Sequence, residues 1–203
     1  SHTLGLIAGG HFQADAVERS DLLFGSTHKT LFGPQGGLMV SRSAELLERV
    51  RASFTLTTQD NAHWNRIAAL GVALEEMCVY GARYAYQVIS NAKTLARALD
   101  EGGLPVRFAD RDYTESHQMM LDTPAIEEST GMDPQELAKR LEAQDIIVDA
   151  MCRLGTNEMT RRGMTEVDME AVAQLVIRAA RGEEVRAEVN DLVRDLGLEY
   201  VLE

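Results

Sequence analysis

Asp21-Leu22-Leu23-Phe24-Gly25-Ser26-Thr27-His28-Lys29-Thr30-Leu31-Phe32-Gly33-Pro34-Gln35-Gly36-Gly37-Leu38-Met39-Val40 changes character three times along its length. An apolar run, Leu22 to Phe24, gives way to small hydroxylated residues, a histidine and one lysine. A Gly-Pro-Gln-Gly-Gly turn follows, then a second apolar run. The pattern predicts a strand, a loop dense in side-chain donors, a tight glycine turn and a second strand at Gly37 to Val40. Lys29 is the only lysine between Ser1 and Ala92. Among Ser, Thr and His it reads as a Schiff-base candidate, because a partly desolvated ammonium loses its proton more readily. A surface turn that happens to carry a lysine is the plain alternative, and the local chemistry leaves both open.

Upstream, Ser1 to Gly10 reads as the end of a strand running into a glycine-rich loop, which suggests the C-terminal part of a longer protein. Downstream, Ser43 is placed to cap a helix from Ala44 to Arg51, and Phe54 to Ala62 reads as a polar loop. Apolar positions from His63 to Leu99 follow helical spacing, with Gly81 marking a bend and Gly102-Gly103 the end. Val106 to Ala109, His117 to Leu121, Ile146 to Val148 and Cys152 to Thr156 are strand candidates. Asp133 with Pro134 opens one helix, Thr165 with Asp168 a second, and a last helix spans Glu183 to Leu196.

The chain has 203 residues and a formal charge of −12, with 20 basic and 32 acidic residues. That balance argues against a dedicated nucleic-acid or anionic-membrane surface. No apolar run is long enough for a membrane helix, and no targeting segment is evident. Cys78 and Cys152 lie in apolar segments without metal-ligand spacing, so they read as reduced core residues of a cytoplasmic protein. His2, His11, His28, His63 and His117 form no helical HxxxH pair or Cys/His cluster, so no metal site is expected. The Lys29 loop lacks the glycine pattern of a nucleotide P-loop. His63 and Trp64 read as core or subunit-interface packing.

Three segments in order carry a resemblance: His2-Thr3-Leu4-Gly5-Leu6-Ile7-Ala8-Gly9-Gly10; Gly25-Ser26-Thr27-His28-Lys29-Thr30 with Gly33-Pro34-Gln35-Gly36-Gly37; and Arg153-Leu154-Gly155-Thr156 with Thr160-Arg161-Arg162-Gly163. Together they resemble the serine hydroxymethyltransferase family, pyridoxal-phosphate enzymes of fold type I. The resemblance implies an α/β fold. Residues 1–85 would form the C-terminal part of the large three-layer α/β/α cofactor domain, and residues 86–203 the small C-terminal α/β domain. It implies Lys29 as the Schiff-base lysine of pyridoxal 5'-phosphate, Ser26 as a hydroxyl close to it, Thr27 and His28 flanking the cofactor, and His2 near the cofactor's phenolic oxygen. Arg153 would hold the substrate's α-carboxylate, where a bidentate fork sets which Cα bond is activated. Thr160 to Arg162 read as bracing the small domain near Arg153 rather than binding substrate, and the resemblance implies a homodimer.

The sequence departs from the family in three places. The aspartate that pairs with the pyridine nitrogen would precede Ser1. Gln35 stands where arginine is usual, and Gln59-Asp60-Asn61 replaces a diglycine that reaches the neighbouring subunit. Only Asp149-Ala150-Met151-Cys152 separates Val148 from Arg153, where the family inserts a longer loop that contributes to the folate site. The shortened loop favours a folate-independent relative. The expected activity is therefore threonine transaldolase-like, cleaving L-threonine or serine to a glycine quinonoid and adding a second aldehyde. A tetrahydrofolate-dependent hydroxymethyltransferase is one alternative, and a non-catalytic partner subunit of a related enzyme is another.

Overall fold

The computed structural model describes residues 1–59 and 61–202, and the side chain of Leu56 is also outside the description. The Gln59-Asp60-Asn61 expectation therefore falls partly outside the described residues. The chain divides into two compact units, Ser1–Tyr86 joined by the tail that begins at Tyr200, and Gln87–Glu199.

In the first unit, β1 (Leu23–Ser26) and β2 (Gly37–Val40) form an antiparallel hairpin, with Phe24 opposite Met39 and Ser26 opposite Gly37. On the other edge of β1, Ser1 runs in the parallel sense. Its nitrogen donates to Phe24 O at 2.5 Å, and Ser26 N–H donates to Ser1 O at 2.9 Å. Gly25 makes that approach possible, since a Cβ there would lie 2.3 Å from Ser1 O. The expected strand end at Ser1 to Gly10 is instead a helix, α1 (Leu4–Ala8), preceded by Ser1's parallel pairing. Leu4, Gly5, Leu6 and Ile7 are all buried, so α1 is apolar on every side. A short continuous apolar run does not distinguish a buried helix from a buried strand.

After α2 (Ala16–Arg19), Ser43 caps α3 (Ala44–Thr57), its Oγ accepting from Leu46 N–H at 3.1 Å. The expected polar loop from Phe54 to Ala62 is shorter, because α3 continues to Thr57. Its hydroxylated end is tolerated by bonds back to the preceding turn: Thr55 Oγ1 donates to Arg51 O at 2.9 Å and Thr57 Oγ1 to Ser53 O at 2.5 Å. The long helix α4 (Trp64–Glu101) is unbroken at Gly81. Gly9 packs there against α4: a Cβ on Gly9 would lie 2.4 Å from Gly81 O and 2.5 Å from Ala85 Cβ. Leu6, Ile7, Leu31, Met77 and Tyr84 form the buried centre of this unit. Phe32 meets Tyr84 edge-on at 4.8 Å, and Tyr200 meets it at 5.5 Å. Cys78, expected in the core, is exposed on α4, and Trp64 is 75% exposed.

The second unit builds its core from Leu95 and Leu99 on α4, with Leu121, Leu137, Leu141, Met169, Val176 and others. β3 (Gln118–Met120) pairs antiparallel with β4 (Arg153–Gly155), Met119 opposite Leu154. The expected Val106–Ala109 strand reduces to a single bridge, Val106 to Leu121, before Phe108 turns into the left-handed region at φ 64°. Two helices had no counterpart in the sequence reading, α5 (Thr123–Thr130) and α7 (Asn157–Arg161). Asp133 caps α6 (Pro134–Glu142), its Oδ1 accepting from Gln135 and Glu136 N–H at 2.8 Å each. The Thr165–Asp168 capping box opens α8 (Glu166–Ala180), and α9 (Arg186–Arg194) follows.

Ile146-Ile147-Val148, expected as a strand, is irregular. Asp145 takes φ 61° after α6, Ile146 N–H closes onto Leu141 O at 3.1 Å, and Ile147 is 85% exposed. Ile146 and Val148 pack onto the core as the hydrophobic contact beyond a helix end rather than as a ladder.

Candidate active site

Lys29 sits on a short loop whose neighbours are held from both sides. Thr27 and Thr30 are buried, at 1% and 0% exposure, while His28 and Lys29 are exposed. Thr27 N–H donates to Gly36 O at 3.1 Å, Thr27 O accepts from Gly33 N–H at 2.7 Å, and Thr27 Oγ1 donates to Pro34 O at 2.6 Å. The Gly-Pro-Gln-Gly turn is thereby closed on the loop. Thr30 Oγ1 accepts from Gly5 N–H and donates to His2 O, both at 3.0 Å. The loop is thus tied to the start of α1. Contact there is close enough that a Cβ on Gly5 would lie 2.0 Å from Thr30 O.

The structure therefore brings His2, Ser26, Thr27, His28 and Lys29 into one neighbourhood, by way of the Thr30 hydroxyl and the end of β1. His28 Nδ1 lies against the backbone of Gly36, 3.3 Å from its nitrogen and 3.2 Å from its oxygen, leaving Nε2 as the ring's available nitrogen. The Lys29 ammonium makes no hydrogen bond or ion pair among the described residues. It is exposed, so these residues alone do not supply the desolvation inferred from its surroundings in sequence. An uncommitted primary amine on a loop locked by two threonines, with Ser26 and His28 close in the chain and the His2 carbonyl tied in by Thr30, is chemistry that fits an aldehyde cofactor. Thr27, whose hydroxyl is committed to Pro34, contributes by framing the loop.

Arg153 lies in the second unit, at the first position of β4. The strand is anchored by buried hydroxyls: Thr156 Oγ1 donates to Val88 O at 2.8 Å, and Thr160 Oγ1 donates to Thr156 O at 2.7 Å. Asn91, fully buried, donates through Nδ2 to Thr160 Oγ1 and Met164 O at 2.9 Å each. Arg162 reaches away from this network to the chain end of the unit, donating to Leu196 O at 2.7 Å and Gly197 O at 3.0 Å. It braces the backbone at Leu196 and Gly197.

The Arg153 guanidinium is half-exposed and has a partner that the sequence reading missed. Asp149 Oδ2 accepts from Arg153 Nε at 2.5 Å and lies 2.5 Å from one terminal guanidinium nitrogen. Asp149 Oδ1 accepts from Met151 N–H and Arg153 N–H, both at 3.0 Å. Partial burial pushes the Asp149 carboxyl up, but the Arg153 backbone and guanidinium bonds and the Met151 bond outweigh it, and the net shift is downward. The only sequence signal for this pair was the spacing of Asp and Arg four apart, which in a loop implies no contact. A cavity of about 330 Å3 adjoins Arg153, walled by Leu154, Met159, Val172, Val176 and Leu192 among others.

Comparison with known proteins places these residues in a family. The family model described as "Serine hydroxymethyltransferase" matches residues 1–176. Serine hydroxymethyltransferase of Methanothermobacter thermautotrophicus is 40% identical over 209 residues, covering 95% of this chain and 48% of that protein. Fluorothreonine transaldolase of Streptantibioticus cattleyicolor is 36% identical over 201 residues, covering 95% of this chain and 32% of that protein. The crystal structure of L-threonine transaldolase from Pseudomonas fluorescens, in its internal aldimine state, superposes with a TM-score of 0.83 at 32% identity. It covers 97% of this chain and 48% of that one. The chain spans about half the length of the curated hydroxymethyltransferases it matches. Enzymes of this family are pyridoxal-phosphate dependent and have the α/β fold of type I. On the match over most of its length, the chain belongs to the serine hydroxymethyltransferase family.

Proposed function

We propose that the protein catalyses pyridoxal-phosphate-dependent retro-aldol and aldol chemistry on β-hydroxy-α-amino acids, of the threonine transaldolase type. The observation that carries this reading is the closed connection between Val148 and β4. Asp149 O accepts from Cys152 N–H at 2.8 Å while Asp149 Oδ1 takes the next two available N–H groups, so the chain turns straight into Arg153. A folate-contacting loop has no place in that turn. The match to two transaldolases supports the same reading.

Residues 1–85 act in this reading as part of the cofactor domain and residues 86–203 as the small domain. The amine of Lys29 is the covalent anchor for the cofactor aldehyde. When bound, pyridoxal phosphate supplies an aromatic ring that takes up the electron pair released at the substrate Cα. Ser26 and His28, the hydroxyl and imidazole residues next to Lys29 in the chain, are assigned in this reading to hold or pass a proton near its amine. His2 lies in the same neighbourhood, its carbonyl fixed by Thr30, and is assigned to the cofactor's phenolic oxygen. Arg153 binds the substrate α-carboxylate, a role suited to its planar fork. Exposed Trp64, Ile67, Val72 and Val79 on α4 support a homodimer or further packing on that face.

The test uses the intact protein with L-threonine and an aromatic aldehyde. A new β-hydroxy-α-amino acid detected by chromatography, lost in Lys29→Ala together with the cofactor's absorbance band, is the expected result. Folate-dependent serine cleavage without aldehyde exchange would instead assign a hydroxymethyltransferase, the second reading, which the 39–40% identity to the methanogen enzymes favours.

A further inference from the structure

We propose that Asp149 is a positioning residue that sets how Arg153 presents its guanidinium to a substrate carboxylate; the inference rests on the carboxylate-binding role given to Arg153 above. A guanidinium offers two bidentate edges, one through Nε and a terminal nitrogen, the other through both terminal nitrogens. Asp149 Oδ2 occupies the first, at 2.5 Å from Nε and 2.5 Å from Nη2. Nη1 makes no hydrogen bond among the described residues, so the end-on edge remains for a ligand.

Asp149 is itself over-determined. Two backbone N–H groups, of Met151 and of Arg153, fix Oδ1 at 3.0 Å. The arginine and the carboxylate that steers it are thus joined twice, by backbone and by side chain, within one closed turn. Arg153 is a long side chain with considerable rotamer freedom, and an arginine left free would have to be ordered on ligand binding. Asp149 removes that freedom beforehand and leaves an α-carboxylate one direction of approach. The short turn therefore acts as a local device for orientation. Because the two backbone N–H groups fix Oδ1, the carboxylate keeps one orientation toward the guanidinium.

The test measures glycine binding to the intact, cofactor-loaded protein by calorimetry, and the KM and kcat for L-threonine. Asp149→Asn keeps an oxygen for the two backbone N–H groups but turns a donor toward the guanidinium. It is expected to weaken glycine binding and raise KM about tenfold, with kcat close to wild type. Methylamine, which has the amine but no carboxylate, should bind wild type and variant alike. Adding Asp149→Asn to Arg153→Ala should weaken glycine no further. Unchanged or tighter glycine binding in Asp149→Asn, or equal loss of glycine and methylamine, overturns the inference while leaving the role of Arg153 standing. Unchanged glycine binding in Arg153→Ala overturns both.

Discussion

Thr30 offers the sharpest test of how the Lys29 loop is built. Its Oγ1 accepts from the buried Gly5 N–H and donates to His2 O, each at 3.0 Å, and the residue is fully buried. Thr30→Val keeps the shape and removes the hydroxyl, so packing is nearly unchanged while two backbone groups lose their partner. The orphaned buried Gly5 donor alone costs about 2 kcal/mol. Thr30→Ser makes the opposite change. It keeps both bonds and loses one methyl, a cost of about 1 kcal/mol. The stability order is therefore wild type, then Ser, then Val, although valine is the better volume match. Denaturant titration of the intact protein measures the order, and hydrogen exchange at the Gly5 amide localises it, since protection there should fall in Thr30→Val and persist in Thr30→Ser. If Thr30→Val is as stable as Thr30→Ser, the hydroxyl bridge does not hold the loop to α1 and the account of the site given above fails.

Two further outcomes follow from the structure. Gly9→Ala would drive a methyl to 2.4 Å from Gly81 O, and because that neighbour is helix backbone it cannot yield; a loss of about 2–3 kcal/mol is expected, and an unchanged melting temperature would refute the close approach of α1 to α4. Burial first, and the Asp149 charge second, push the Cys152 thiol up. The fold favours the protonated thiol, so its contribution to stability is complete below the ordinary thiol pKa and is lost as pH rises through the raised value. Iodoacetamide at mildly alkaline pH should modify exposed Cys78 but leave Cys152 unmodified until the protein unfolds, and Cys152→Ala should flatten the alkaline fall in stability; labelling mapped to Cys152 in the folded protein would refute the first, and an unchanged alkaline fall the second.

Turn and cap chemistry was legible in the sequence because it is local. The Ser43 and Asp133 caps and the Thr165–Asp168 box each depend on residues a few positions apart, and the β1–β2 hairpin on one short glycine-rich connection. The errors arose where distant packing decides. Leu4 to Ile7 is buried on every side, so its apolar run carries no period to separate helix from strand. Ile146 to Val148 has strand-like composition but finds no ladder partner among the described residues, and its apolar side chains close a helix end instead. Thr55 and Thr57 look like loop residues, yet their hydroxyls bond back into α3. Cys78 lies in an apolar segment but on an exposed face of α4. The Asp149–Arg153 contact leaves no local signal, because it exists only once the turn between them has closed.

The Lys29 motif itself divides by burial into two kinds of residue. Thr27 and Thr30 face inward and make the bonds that fix the loop, the first to the Gly33–Gly36 turn and the second to the start of α1. His28 and Lys29, between them, face outward and keep their reactive nitrogens uncommitted among the described residues. A lysine two residues out of register would point its amine into the framework, and a threonine moved by one would lose its acceptor. This gives a physical reason why the segments at His2 and Lys29 occur together: the His2 carbonyl and the Gly5 amide are the partners of Thr30, and only glycine at position 5 leaves room for the Thr30 backbone. A lone lysine among donors is weak evidence for chemistry. A lysine whose two neighbouring threonines are both used up in fixing its loop is held outward by the fold, and this supports the proposal that Lys29 is the cofactor's anchor rather than an incidental charge on a turn.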